Sequence, residues 1–321
     1  MEDRMEQQNR QVPPTVPPES PGKQFWYIWS PLAVKIGIGF IISIVVGTVF
    51  GFIYIFRHYG ITPEVMDNSR QLEVISQRFV REYADLTREM SLEYYNYAAL
   101  IEGVTSLATI PVMWVMFHRD RVKERLRGFV PNKKAALWKY AAVVVIGMAL
   151  CVGVNNLMII GNISEVGEEY QEIMEALYSA PLAVQLVSLV VLTPVCEELV
   201  FRGLIFRRLR EKSTFMVAAV NSAVVFGLMH MNLVQMLYGS LLGMVFAYVY
   251  EKYGSVKAPI TAHIAANFVS VAGTHYRWFE WMMEKPMRIG TITVISAAAA
   301  STMFVLIQRM EERPEEVLRK C

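Results

Sequence analysis

Six polar side chains interrupt apolar stretches between positions 197 and 267. They fall in three short stretches: Glu197-Glu198-Leu199-Val200-Phe201-Arg202, Phe226-Gly227-Leu228-Met229-His230 and His263-Ile264-Ala265-Ala266-Asn267. A carboxylate beside an imidazole can hold a water and take its proton, the arrangement that general-base hydrolysis requires. A His N–H and an Asn amide can both donate to a developing oxyanion. Ionisable groups are expensive in hydrocarbon, so a cluster of them in apolar helices reads first as a functional site.

Spacing divides the roles. Residues four apart share a helix face, so Glu198 pairs with Arg202, with the acid on the N-terminal side. Glu197 points about 100° away from Glu198 around the helix, lacks a local partner and is the better candidate for chemistry. Pro194 removes a backbone donor just upstream and is expected to bend the helix there. Counting from a turn at Lys212–Thr214, Glu197 lies about 16 residues before it and His230 about 17 after. Both then sit roughly 25 Å along adjacent antiparallel helices and can face each other. His263 and Asn267 share a face of a later helix. The same count places His263 nearer the cytoplasm than His230. Phe226, one turn before His230, reads as packing support. Cys196 reads as an apolar wall residue.

Two other readings use the same residues. His230, His263 and Glu197 would supply two nitrogens and one oxygen to a divalent metal such as zinc, although no His-Glu-x-x-His spacing is present. Alternatively, the polar groups only cross-link helices, as buried His and Asn side chains do in membrane bundles. Lys35 reads as a side chain that snorkels to the inner surface. Glu102, Asn155 and Asn156 either line the same cavity or cross-link helices.

The elements that must carry these residues are membrane helices. The chain has 321 residues, 54% of them hydrophobic, and a mean hydropathy of +0.32. Its apolar runs approach or exceed the ~20 residues needed to cross a bilayer. The sequence predicts an all-α polytopic bundle of about eight spans, near 32–56, 95–117, 137–160, 181–206, 214–231, 233–250, 258–274 and 289–308. Residues 1–30 read as a Pro-rich disordered tail, 31–180 as N-terminal spans, 181–274 as the core carrying the motifs, and 275–321 as a last span with a charged tail. The basic loop His118–Ala136 belongs inside by the excess of Lys and Arg on the cytoplasmic side, and the acidic loop Gly161–Ala180 belongs outside, which puts both termini in the cytoplasm. Leu72, Ile75, Phe79, Tyr83 and Leu86 recur at helical spacing, so residues 60–93 predict an external amphipathic helix. Gly239 and Gly243 form a small-residue pair suited to close helix packing. A net charge of +2, with its asymmetry confined to loops, reports topology and no nucleic-acid partner. Three cysteines, Cys151, Cys196 and Cys321, suggest no disulfide framework.

The ordered motifs Glu-Glu-x-x-x-Arg, Phe-x-x-x-His and His-x-x-x-Asn resemble the CAAX prenyl endopeptidase and bacteriocin-processing family, the CPBP or Abi intramembrane proteases, whose third motif ends in Asn or Asp. The resemblance covers roughly residues 181–274. It implies that Glu197 and His230 activate water, that His263 and Asn267 stabilise the oxyanion, and that Glu198 and Arg202 complete the first motif. It further implies a multi-pass protein of a bacterial or archaeal cell membrane, whose substrate is a lipidated tail or a membrane-embedded peptide. The family includes enzymes that remove three residues from prenylated CaaX proteins, and bacterial members associated with peptide maturation or bacteriocin self-immunity. A non-catalytic immunity or scaffold protein of the same fold is therefore the alternative function. A proton-relay transporter fits less well, because no internal symmetry is visible.

Overall fold

The computed structural model describes residues 20–127, 135–162 and 168–310, with the side chains of 168–170 excepted. Helix α1 is Pro21–Tyr59, α2 is Ser69–Tyr95 and α3 is Ala98–Leu126. A 3₁₀ turn at Leu137–Lys139 leads into α4, Tyr140–Ile160, and α5 is Glu168–Tyr178. Then come the long α6, Leu182–Arg210, α7, Phe215–Leu228, α8, Leu233–Tyr253, and α9, Lys257–His275. Helices α10, Trp278–Met283, and α11, Pro286–Gln308, complete the order. The described residues are helical with short turns, and six of these helices are long and apolar enough to cross a membrane. The protein is an all-α integral membrane bundle.

Three boundaries differ from expectation, each for a physical reason. The tail expected over 1–30 gives way to helix at Pro21, because proline fits the first helical turn, where its missing N–H is not needed. Residues 1–19 lie outside the described set, as do Glu165, Lys133, Lys134 and the charged tail from Glu311. The fifth span, expected over 214–231, is the 14-residue α7, about 21 Å long and short of the ~30 Å hydrocarbon core. It ends in a turn where Met231 takes φ 60°. Asn232 then caps α8 by accepting from the Gln235 N–H at 2.8 Å. The acidic loop after α4 contains a helix, α5, whose Met174, Leu177 and Tyr178 turn inward to wall a cavity. The amphipathic pattern at 69–95 does form a helix, α2. Asn68 caps it, and it rests Phe79 against Tyr59 of α1.

Helix α6 is the spine. Its residues Leu199–Phe206 are all buried and pack with Met113, Ala218, Ala219, Phe226, Ala247 and Tyr250. Lipid tails are as apolar as leucine, so close contact between small residues does much of the holding here. A side chain at Gly147 of α4 would run into the carbonyl of Ala262 on α9, and one at Gly227 into Ser240 on α8. Pro194 shows its effect as turn widening. The α-helical stretch Thr193–Glu198 is flanked by π-helical stretches at Leu186–Leu192 and Leu199–Phe206. A wider turn accommodates the proline ring and its missing donor without breaking the helix.

Candidate active site

Glu198 and Arg202 meet as expected. Arg202 Nη1 donates to Glu198 Oε1 at 2.9 Å, and neither side chain has any exposure. Three rings surround the guanidinium: Phe226 at 4.5 Å, Phe246 at 5.4 Å and Phe201 at 5.9 Å from their centroids. Aromatic faces attract a cation electrostatically, so they offset part of the cost of burying it. Gly243 makes the room: a Cβ there would lie 2.9 Å from Arg202 Nη2. The small-residue pair therefore does more than let helices approach, since Gly239 likewise leaves space for the imidazole of His230, 3.4 Å from where its Cβ would be.

His263 joins the two acids. Its Nδ1 is 2.9 Å from Glu198 Oε1, and its Nε2 is 3.8 Å from Glu197 Oε2. Phe246 stacks on the ring at a centroid distance of 4.9 Å, and Phe226 meets it edge-on at 5.9 Å. His263 thus sits beside the acidic pair, at the level of Phe226, one turn before His230 along the chain from the Lys212–Thr214 turn. Residue counting assumes ~1.5 Å per residue along α6, whereas the π-helical turns either side of Thr193–Glu198 hold more residues per turn.

His230 lies in the turn after α7. Its Nδ1 is 3.0 Å from the Phe226 carbonyl. A carbonyl only accepts, so Nδ1 carries the proton and Nε2 of the neutral ring is an acceptor. Asn267 donates one amide N–H to the Leu189 carbonyl at 2.8 Å, within the first π-helical stretch, where the regular hydrogen-bond ladder is interrupted.

One cavity of about 630 Å³ collects Glu197, His230, His263 and Asn267. Glu198 and Arg202 stand behind it. Met174, Leu177, Tyr178, Phe279 and Met283 form apolar walls, giving an apolar pocket with a few convergent polar groups, the usual form of a small-ligand or substrate site. Lys35 and Glu102 also line it. Lys35 Nζ is 3.9 Å from Glu197 Oε1, and Ser106 donates to Glu102 at 3.3 Å. Lys35 does not snorkel. Its ammonium turns to Glu197 inside the cavity instead. A lone cation in the first apolar run was the signal for it. Asn155 lines the cavity, whereas Asn156 is buried and donates to Met282 Sδ. Cys196 is fully buried, as a wall residue would be.

Among the described residues no group of three or more His, Cys, Asp or Glu side chains is gathered to hold a metal ion. His230, His263 and Glu197 share a cavity, but His263 directs one nitrogen to Glu198 and the other towards Glu197. The three side chains are not drawn around one point, and no step is routed through a metal.

A model of the Rce1-like family, type II CAAX prenyl endopeptidases, matches residues 179–269. Over this segment the chain is similar to that family. The matched segment contains all six polar residues of the three motifs but neither Lys35 nor Glu102. A Bacillus subtilis (strain 168) protein named "Putative membrane peptidase YdiL" is 35% identical over 100 residues. That match covers 31% of this chain and 40% of the relative, so the chain spans less than half of that protein's length. No solved structure matches the chain.

Proposed function

We propose that this chain is an intramembrane endopeptidase that hydrolyses a peptide bond of a membrane-associated substrate, a CaaX-type prenylated tail or a small membrane peptide. One observation carries the reading: Glu197 faces a cavity that also holds two imidazoles and an amide, inside a bundle of membrane helices. Water held between Glu197 and His230 gives a proton to one of them as its oxygen bonds to the scissile carbonyl carbon. A ring at His263 protonated on both nitrogens donates to Glu198 through Nδ1 and offers its Nε2–H to the oxyanion. The second N–H of Asn267 is available to the same oxygen. On collapse the C–N bond breaks, and the proton taken from water passes to the leaving amine.

The apolar walls suit a lipid chain lying beside the scissile bond, since each buried methylene contributes about 0.8 kcal/mol. The test is cleavage of a farnesylated CaaX peptide, and of the same peptide unlipidated, by the purified full chain in lipid nanodiscs with and without a strong chelator. The expected result is cleavage of the lipidated peptide that survives the chelator and disappears in Glu197→Gln. Equal rates for wild type and a folded Glu197→Gln protein would overturn the proposal.

A further inference from the structure

We propose that Lys35 is a positioning residue of this hydrolytic centre, which orients the Glu197 carboxylate from a helix outside the matched segment. The inference rests on the peptidase reading above. The two oxygens of Glu197 have separate neighbours: Lys35 Nζ at 3.9 Å from Oε1, and His263 Nε2 at 3.8 Å from Oε2. Both members of the Lys35–Glu197 pair are nearly buried, with side-chain exposures of 13% and 11%. Together with the Glu198 contacts this makes one chain of acid–base neighbours across α1, α6 and α9: Lys35, Glu197, His263, Glu198, Arg202.

A cation beside Oε1 biases the rotation of the Glu197 carboxylate, and a general base works only in the correct orientation to its water. Docking of α1 does not need the ammonium. Ile28, Trp29, Leu32 and Val34 already pack the helix against the core. A cation placed so deep in apolar surroundings is costly unless it serves a partner. Nor is Lys35 well suited to bind a substrate carboxylate, because Glu197 and Glu102 already line the same cavity around it. The remaining charged and titratable groups around Glu197 are His230 after α7 and the mutually paired Glu198 and Arg202 on its own helix.

The experiment compares full-length wild type with Lys35→Met, Lys35→Arg and Ile36→Ala in nanodiscs, using the farnesylated CaaX peptide, with thermal melting as a folding check. Lys35→Met is expected to lower kcat by roughly 10- to 100-fold, the scale of a misplaced catalytic group, with KM nearly unchanged. Lys35→Arg restores most of the rate, and Ile36→Ala behaves as wild type. A folded Lys35→Met protein with wild-type kcat, alongside an inactive Glu197→Gln, overturns the Lys35 proposal and leaves the peptidase reading intact. No cleavage by wild type removes the peptidase reading instead.

A second measurement needs no turnover. A membrane-permeable carbodiimide activates a carboxylate, and a neighbouring amine displaces the urea to form an amide. Peptide mass spectrometry should find Lys35 joined to Glu197 in wild type and not in Lys35→Arg. Absence of that cross-link in folded wild type, where other carboxylates are modified, overturns the pairing and the proposal with it.

Discussion

Glu198 Oε1 is shared between two side chains at 2.9 Å each: the guanidinium of Arg202, one turn along the same helix, and the Nδ1 of His263 from across the bundle. A single oxygen therefore fixes both the scaffold cation and the imidazole that faces the cavity. Structural and chemical roles, separable by helix geometry in the sequence, converge on one atom.

Breaking this junction should unfold before it inactivates. Arg202→Met leaves Glu198 as a fully buried acid without its counter-charge, and Glu198→Gln does the same to Arg202. Each is expected to cost about 3–5 kcal/mol. The double substitution should cost less than the sum, because it leaves no stranded charge. Thermal and denaturant melts of the four proteins in one detergent provide the cycle.

Glycine substitutions should grade by what the added methyl meets. Gly243→Ala presses on Arg202 Nη2 at 2.9 Å and on Ala223 at 3.0 Å, whereas Gly239→Ala meets His230 and Gly227 at 3.4 Å. Overpacking of the first kind costs about 1–3 kcal/mol, and the second should be milder. Gly147→Ala, opposed by the Ala262 backbone beside His263, should be the most harmful of the three. Melting temperatures and cleavage rates together give the order.

His230 is only partly buried and its proton is held by the Phe226 carbonyl. His230→Ala should therefore lose about 10²- to 10⁴-fold in kcat, the range for a general-base contribution, with little change in melting temperature. Free imidazole added to the assay should restore part of the rate, since the vacated volume opens onto the cavity. A loss of stability matching the loss of rate would contradict this assignment.

Asn267→Ala removes a donor from the Leu189 carbonyl, where the helix ladder is already interrupted. A cost of about 1–3 kcal/mol is expected for the orphaned group. If the second amide N–H also serves the oxyanion, kcat falls further than stability explains. Asn267→Asp, which keeps the size but loses both donors, should share the kinetic loss.

Much of this was legible in the sequence. Apolar run length located the membrane helices, and the four-residue spacing of Glu198 and Arg202 predicted a pair that forms at 2.9 Å. The amphipathic stretch at 69–95 was visible from Leu72, Ile75, Phe79, Tyr83 and Leu86. Depth was not legible, because residue counting assumes a constant rise and α6 contains π-helical turns on both sides of Glu197. Lys35 was misplaced because its direction is set by Glu197 on another helix, which a position in an apolar run does not record. The two roles of Gly239 and Gly243 were also hidden, since spacing shows that room is made but not which side chain fills it.

Helix α1 is 39 residues long, and Pro31 is its one buried residue. At ~1.5 Å per residue it far exceeds the hydrocarbon thickness, and such a helix adjusts by tilting. The ammonium next to Glu197 thus rides on the element with the least protein around it. A change in bilayer thickness is therefore expected to act on Lys35 and Glu197 through the tilt of α1.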